Sequence, residues 1–519
     1  MNQPVSSKRS RSRVRRGTFW FVLFFLVVFL AWTLSAIFSF DRGLGPQRDF
    51  LAELNQKNEE VPPEQLVWPE LRQLVGGFDC PPDRSFRDHL AESLHALAPT
   101  EQDRWLGERQ ELLESIRVLL HRPRLGVSCL PGLPEPLDHA LLLTTNERAA
   151  LALTSTDTTL IQQPASSGSE PLIALPLRFL SPLRTLAQLL EADLASALRD
   201  NAHPRAVEDC IALLNLGRLC RQNPMLMAQL SAAALEAMAD TGILTFLSTA
   251  KGVDPELLEH LSQALTSTSA SFSLEGERMQ LEDLVQRIYS DDGAGDGVLM
   301  ARQMDIAFAS TTNPMPVPLQ VGSRSRIKEF ILQPLIRGFC ASRREVLDAQ
   351  EAVLSEAQAL MDSDAWTLDW TALDAQQSNL IPRPPLQSLH LFPLPLITSD
   401  LEPVVLVQLT RQFLRHLTRT VLALHQFHAR YGVWPERLQE LQPEWLSPLP
   451  RDPYDGALLR YEVRDGQPLL WSIGPDRVNQ GGEFSKTGAS FRLERVDPAA
   501  SAATDILLWP LPAANPESS

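Results

Sequence analysis

Three histidines, His416, His425 and His428, fall within one stretch of helical periodicity. His425 and His428 are three residues apart, a spacing from which two imidazoles on one helix face can share a metal. No H-E-x-x-H pattern surrounds them and no acid stands nearby as a base, so they read as surface or helix-end histidines. Asp291, Asp292 and Asp296 lie among the glycines of SDDGAGDG. Carboxylates in such a loop can hold a divalent cation, but Gly293 occupies the third ligand position of an EF-hand, and a solvated turn is the expectation. The chain has five cysteines, Cys80, Cys129, Cys210, Cys220 and Cys340, and no C-x-x-C, which leaves a zinc ribbon or thioredoxin-like site without support. Cys210 and Cys220 share one expected helix and stand about 15 Å apart along it, too far for a disulfide. Cys80 with Cys129 is the one pair considered. No G-x-S-x-G, Walker A loop or Rossmann fingerprint occurs, and no catalytic residue is assigned.

The elements that would position such groups belong to a 519-residue chain with net charge −16, 44% hydrophobic and 21% charged residues. That composition is globular, long enough for two to four domains at about 150 residues each. The acidic balance argues against a nucleic-acid partner.

The charge is uneven. Residues 1–16 hold six cations and no acid, and form a basic cytoplasmic tail. Residues 17–40 carry no charged side chain and include Trp20 and Trp32. A bilayer core needs about 20 apolar helical residues, so this run reads as a transmembrane helix. A cleaved signal peptide would have a shorter core and a better cleavage site than Thr33 and Ser35 provide. The cationic flank keeps the N-terminus in the cytoplasm. The expectation is a single-pass protein of the bacterial cytoplasmic (inner) membrane, with its bulk extracytoplasmic.

Residues 41–180 read as a helical region with short strands. Thr100 to Asp103 suggest a capping box opening a helix through Leu120, and 126–180 suggest strands and loops. Residues 181–380 read as a helical region of hairpins, with Ser181 as N-cap before Pro182, and with breaks at Asn223-Pro224 and Asp254-Pro255. Arg324, Arg326, Lys328, Arg337, Arg343 and Arg344 are the basic cluster outside the N-terminus and read as a solvated helix face. Pro382, Pro384, Pro385, Pro393 and Pro395 mark a Pro-rich linker at 381–400.

Past that linker, a helix is expected from Glu402 to about Arg430, with an apolar stripe of Val404, Val407, Phe413, Leu414, Leu417, Val421, Leu424 and Phe427. A hairpin follows, with strands at 458–463 and 469–473 around Asp465-Gly466, and then a last strand at 505–509. The fold class is therefore mainly α with a C-terminal α+β module, one helix on a small antiparallel sheet, spanning 401–512 before a tail at 513–519.

Several short motifs occur here in order. They are Phe427 to Pro435, the turn Leu449-Pro450-Arg451-Asp452-Pro453-Tyr454-Asp455-Gly456, Trp471-Ser472-Ile473-Gly474-Pro475-Asp476, Gly481-Gly482 and Asp505-Ile506. As a set they resemble the globular domain of the major pseudopilins of type II secretion systems. The resemblance implies a calcium loop with Asp476 and Asp505 as its carboxylates. Asn479 and Gln480 stand where related loops often carry further acids, and neutral amides weaken such a site. Here the module lies far from the membrane run, and residues 17–22 lack the acid that pilin processing and assembly require, so the chain is not expected to assemble as a pilin. Arg477 and Arg492 are candidates to compensate the two carboxylates without metal.

The function expected is a membrane-anchored extracytoplasmic protein without evident catalysis. It would be a structural or interaction component of the cell envelope, with the membrane and envelope proteins as partners, and the resemblance implies an association with secretion. The alternative is an extracytoplasmic hydrolase with a dispersed, motif-free site.

Overall fold

A computed structural model of the chain describes residues 20, 23–24, 26–31, 33, 48–81, 84–95, 97–130, 133–154, 171–267, 272–291, 297–300, 303, 333–334, 336–368, 390–394, 401–481, 484–487, 491–493 and 505–511. Most of the expected membrane helix, the basic tail, most of the 381–400 linker, Asp292, Asp296, Arg324, Arg326, Lys328 and the 513–519 tail lie outside these residues. The described residues between 20 and 33 are helical, with Trp20, Phe24 and Phe29 about two-thirds exposed.

The first region holds α1 (Phe50–Glu59), α2 (Trp68–Leu74), α3 (Phe86–His95), α4 (Pro99–Gly107), α5 (Gln110–Leu120), α6 (His139–Leu142) and α7 (Thr145–Thr154). The helix expected through Leu120 is two helices. Pro99 sits in the first turn of α4 after Ala98, so Thr100 lies inside the helix and caps nothing. The chain then breaks after Gly107 and restarts at Gln110. The strands expected at 126–180 are also corrected. Among the described residues that stretch holds α6, α7 and short 3-10 turns. The extended segment 124–129 makes only a single bridge, Leu66 to Arg124. Side-chain amides complete its pairing: Asn55 Nδ2 donates to the Cys129 carbonyl at 2.9 Å, and Cys129 N donates to Asn55 Oδ1 at 2.8 Å.

Next come α8 (Leu180–Arg199), α9 (His203–Cys220), α10 (Leu226–Thr249), α11 (Pro255–Ser267), α12 (Glu275–Ile288) and α13 (Arg343–Met361). In α8, Leu183, Leu186, Leu190, Leu194 and Ala197 recur every three or four residues, and all are buried. The helix begins at Leu180, so Ser181 is inside it and is not the cap. Helix α10 is long and apolar enough to cross a membrane, but it lies within the helical body, against α8, α9 and α14. Gly217 of α9 makes that packing close, because a Cβ there would meet Glu236 Cγ at 2.5 Å.

Helix α14 (Glu402–Tyr431) has 30 residues, about 45 Å at 1.5 Å per residue, and stops where Gly432 N donates to the His428 carbonyl. It packs on α10, α11 and α13 along one side. The strands are β1 (Arg460–Arg464), β2 (Gln467–Ser472), β3 (Phe484–Thr487) and β4 (Asp505–Trp509), in the order β1-β2-β4-β3. The β1–β2 turn places Asp465 and Gly466 at φ 53° and 76°, the two positive values that suit the twist of a two-residue hairpin. Strands β1, β2 and β4 are antiparallel, as expected, whereas β3 is parallel to β4.

One hydrophobic core runs from Val67 through α8–α11 and α14 into Leu470, Ile506 and Leu508 of the sheet. The linker region therefore does not separate two cores. Its described part is itself packed: Phe392 and Leu394 are buried, and Tyr289 Oη donates to the Phe392 carbonyl at 2.7 Å. The five cysteines are all thiols. Cys80 and Cys129 are not joined, and Cys129 Sγ accepts from Asn223 Nδ2 at 3.4 Å.

Candidate functional site

Asp476 and Asp505 are brought together, with Gln480 between them. Gln480 Nε2 donates to Asp476 Oδ2 at 2.8 Å, while its backbone N–H donates to Asp505 Oδ1 at 3.3 Å. Val478 N occupies Asp476 Oδ1 at 3.1 Å, and Asn479 Oδ1 accepts from Gly481 N at 3.0 Å. A calcium ion needs six to eight oxygen ligands. Here N–H donors already take several of the oxygens it would use, and no group of three metal-binding side chains occurs among the described residues.

A cation at this end is Arg460. Its Nη1 donates to Asp452 Oδ2 at 2.8 Å and to Asp455 Oδ1 at 3.2 Å, and its field also reaches Asp505. Asp452 is the hub of this end. Fully buried, it also accepts from Tyr454 N, Ser472 Oγ and Ile473 N at 2.9–3.0 Å. It ties the proline-bounded turn to both hairpin strands. Burial pushes its carboxyl above the usual range in spite of those donors. The turn motif marked the residue, but only the fold shows where its oxygens point.

The histidines are aromatic spacers. His425 meets the edges of Trp434 and Trp509 at centroid distances of 5.2 and 5.8 Å, and His428 stacks on Trp434 at 4.2 Å. Burial, with His428 beside it, lowers His425 to about 4, so it is neutral at pH 7. His416 packs on Trp366 at 5.0 Å. In the described part of the glycine-rich loop, Asp291 pairs with Arg343 at 3.2 Å. Arg337 and Arg344 are exposed.

Sequence periodicity did not reveal the charge buried between helices. Arg411 pairs with Glu236, which also takes Arg221 Nε and Nη2 at 2.9 Å each. Arg415 Nε donates to Asp240 Oδ1 at 2.8 Å. Burial raises the Glu236 carboxyl, but Arg411 and Arg221 outweigh it and hold the group below its usual value. A second cluster places one guanidinium, Arg117, against two fully buried carboxylates, Asp193 and Asp209. Burial is the largest cause of Asp209 rising to about 8. The neighbouring Asp193 carboxyl raises it further.

Among the hollows that the described residues leave open to solvent are three. One of about 220 Å³ is lined by Trp68, Arg72, Asp138 and Arg178, and a neighbour of about 240 Å³ by Arg48, Lys57, Arg124 and Cys129. The third, about 620 Å³ and the most open, is a groove at the end of α14. Phe427, Tyr431 and Trp445 form its aromatic wall, with centroids 4.7–5.9 Å apart. Tyr431 and Val433 are 52% and 61% exposed, and Arg430, paired with Glu444, reaches over Trp445. No protein-family model, curated protein or solved structure matches this chain.

Proposed function

We propose that the protein is a membrane-tethered, extracytoplasmic interaction component of the cell envelope that works through the groove at the end of α14 and carries no catalytic centre. The carrying observation is the exposure of Tyr431 and Val433 beside Trp445. Aromatic side chains that are apolar at one end and polar at the other suit protein contact. The partner class is an envelope protein presenting an apolar segment, in keeping with the motif resemblance to secretion pseudopilins. The tether is residues 17–40, whose described side chains are largely exposed and apolar. The hydrolase reading calls for perturbed acids or histidines in a deep pocket. Asp209, Glu277 and His425, moved to about 8, 7 and 4, line none of the three hollows.

The test is a photo-crosslinking amino acid at Val433 of the full chain in intact cells, compared with one at Val118, which is 63% exposed on α5. A discrete protein adduct from Val433 alone supports the reading. No adduct, or the same adducts from both positions, overturns it.

A further inference from the structure

Leu130, Leu133 and Leu137 are 42%, 46% and 70% exposed within eight residues. Single exposed leucines are ordinary, but three on one braced loop form an apolar lip. The bracing is specific. Asn55 of α1 holds Cys129 through both its backbone groups, Trp68 Nε1 donates to Asp138 Oδ1 at 3.0 Å, and His139 Nε2 lies 3.1 Å from the Pro134 carbonyl. Pro134 and Asp138 are buried, which leaves the leucines between and beside them facing outward.

The lip lies close to where the chain enters the body. Arg48 is clamped by Gln286, whose Oε1 accepts from Arg48 N and whose Nε2 donates to the Arg48 carbonyl, both at 2.9 Å. Arg48 and Cys129 line the same hollow, together with Lys57, Arg124 and the acids Glu53 and Glu275, and Arg48 itself pairs with Glu53 and Glu282. Only residues 41–47 separate Arg48 from the uncharged run, a reach of at most about 25 Å. The lip is therefore held on the body near the end tied to that run. Its exposed acid, Glu135, has Arg72 Nη1 at 3.7 Å.

We propose that Leu130, Leu133 and Leu137 dock into the interfacial layer of the lipid bilayer as apolar contacts, holding the extracytoplasmic body against the membrane surface. This rests on reading residues 17–40 as a membrane anchor. It adds a second, peripheral contact that fixes how the body is oriented.

The experiment uses the full chain in vesicles of phosphatidylethanolamine and phosphatidylglycerol with radiolabelled headgroups. A photo-crosslinking amino acid is placed in turn at Leu137, at Phe29 in the anchor, and at Val478, which is 56% exposed in the C-terminal loop. Lipid adducts from Leu137 should approach those from Phe29 and exceed those from Val478 by about tenfold, and Leu130→Asp with Leu133→Asp should reduce the Leu137 adduct severalfold. Adducts from Phe29 with Leu137 no higher than Val478 would overturn the loop contact and leave the anchor standing. Absence of adducts from Phe29 as well would remove the anchor reading and this proposal with it.

Discussion

Gln408, Arg411 and Arg415 on one face of α14 meet Glu236 and Asp240 of α10, whereas Phe413 on the opposite side of the same turns meets Phe491, and His425, nearer the helix end, meets Trp509. Both faces are buried, yet one is ionic and the other aromatic. Apolar burial contributes about 1.5–3 kcal/mol per large side chain and tolerates small slips in register. A buried ion pair adds little net stability, but it penalises any arrangement that leaves a charge unmatched. In this molecule Phe413 ties the helix to the segment around Phe491, and His425 ties its C-terminal end to Trp509 of β4. The ionic face sets the position of that helix on the body, and so the position of the groove at its end.

The largest effect should come from breaking the ionic face. Asp240→Ala strands Arg415 in the interior and should cost about 3–5 kcal/mol in urea unfolding. Asp240→Leu combined with Arg415→Met should restore most of that loss. A cost below about 1 kcal/mol for the single change would mean that water already serves the pair, and the contrast between the faces would fail. Leu417→Ala removes packing from the core that α14 shares with the sheet, and should cost about 2–5 kcal/mol with no rescue by charge changes.

Ionisation sharpens the comparison within the helical body. Asp209 has a folded pKa of about 8, above its usual value near 4, because burial outweighs Arg117. The folded state then binds the extra proton between those two values, so this group's stabilising contribution is full below about pH 4 and is lost as pH rises through 8. Calorimetry from pH 4 to 9 should find Asp209→Asn gaining on the unaltered protein as pH rises. Parallel curves would show that Asp209 is already ionised in the fold. A smaller effect is expected at the C-terminal loop, where Gln480→Ala removes one bond to Asp476 and should cost about 1 kcal/mol. Added calcium should leave the melting temperature of the full chain unchanged; a rise abolished by Asp476→Ala would restore a cation to that loop.

The apolar periodicity of α8 and of α14, the Asp465-Gly466 hairpin and the final strand were legible because each follows from local spacing or turn chemistry. The second face of α14 was not. Arg411 and Arg415, four residues apart, look like a solvated stripe until the acids of α10, some 175 positions earlier, are placed opposite them. The same holds for Gln480, which reads as a weakened metal ligand in sequence and as a bridge between Asp476 and Asp505 in the fold. Strand β3 escaped notice because its four residues, Phe-Ser-Lys-Thr, lack an apolar alternation. The groove was not legible: Phe427 read as part of the apolar stripe and Tyr431 as part of a motif, and the exposure that makes a site is a tertiary fact.

That exposure also defines the smallest expected effect on stability and the most informative one on function. Tyr431→Ser at the open wall should move the unfolding free energy by no more than about 0.5 kcal/mol. The decisive measurement is photo-crosslinking from Val433 in cells carrying Tyr431→Ser in the otherwise intact chain. The account expects the partner adduct to be lost while the melting temperature and membrane association stay unchanged. An adduct of undiminished yield would contradict the claim that this groove is the working surface of the protein.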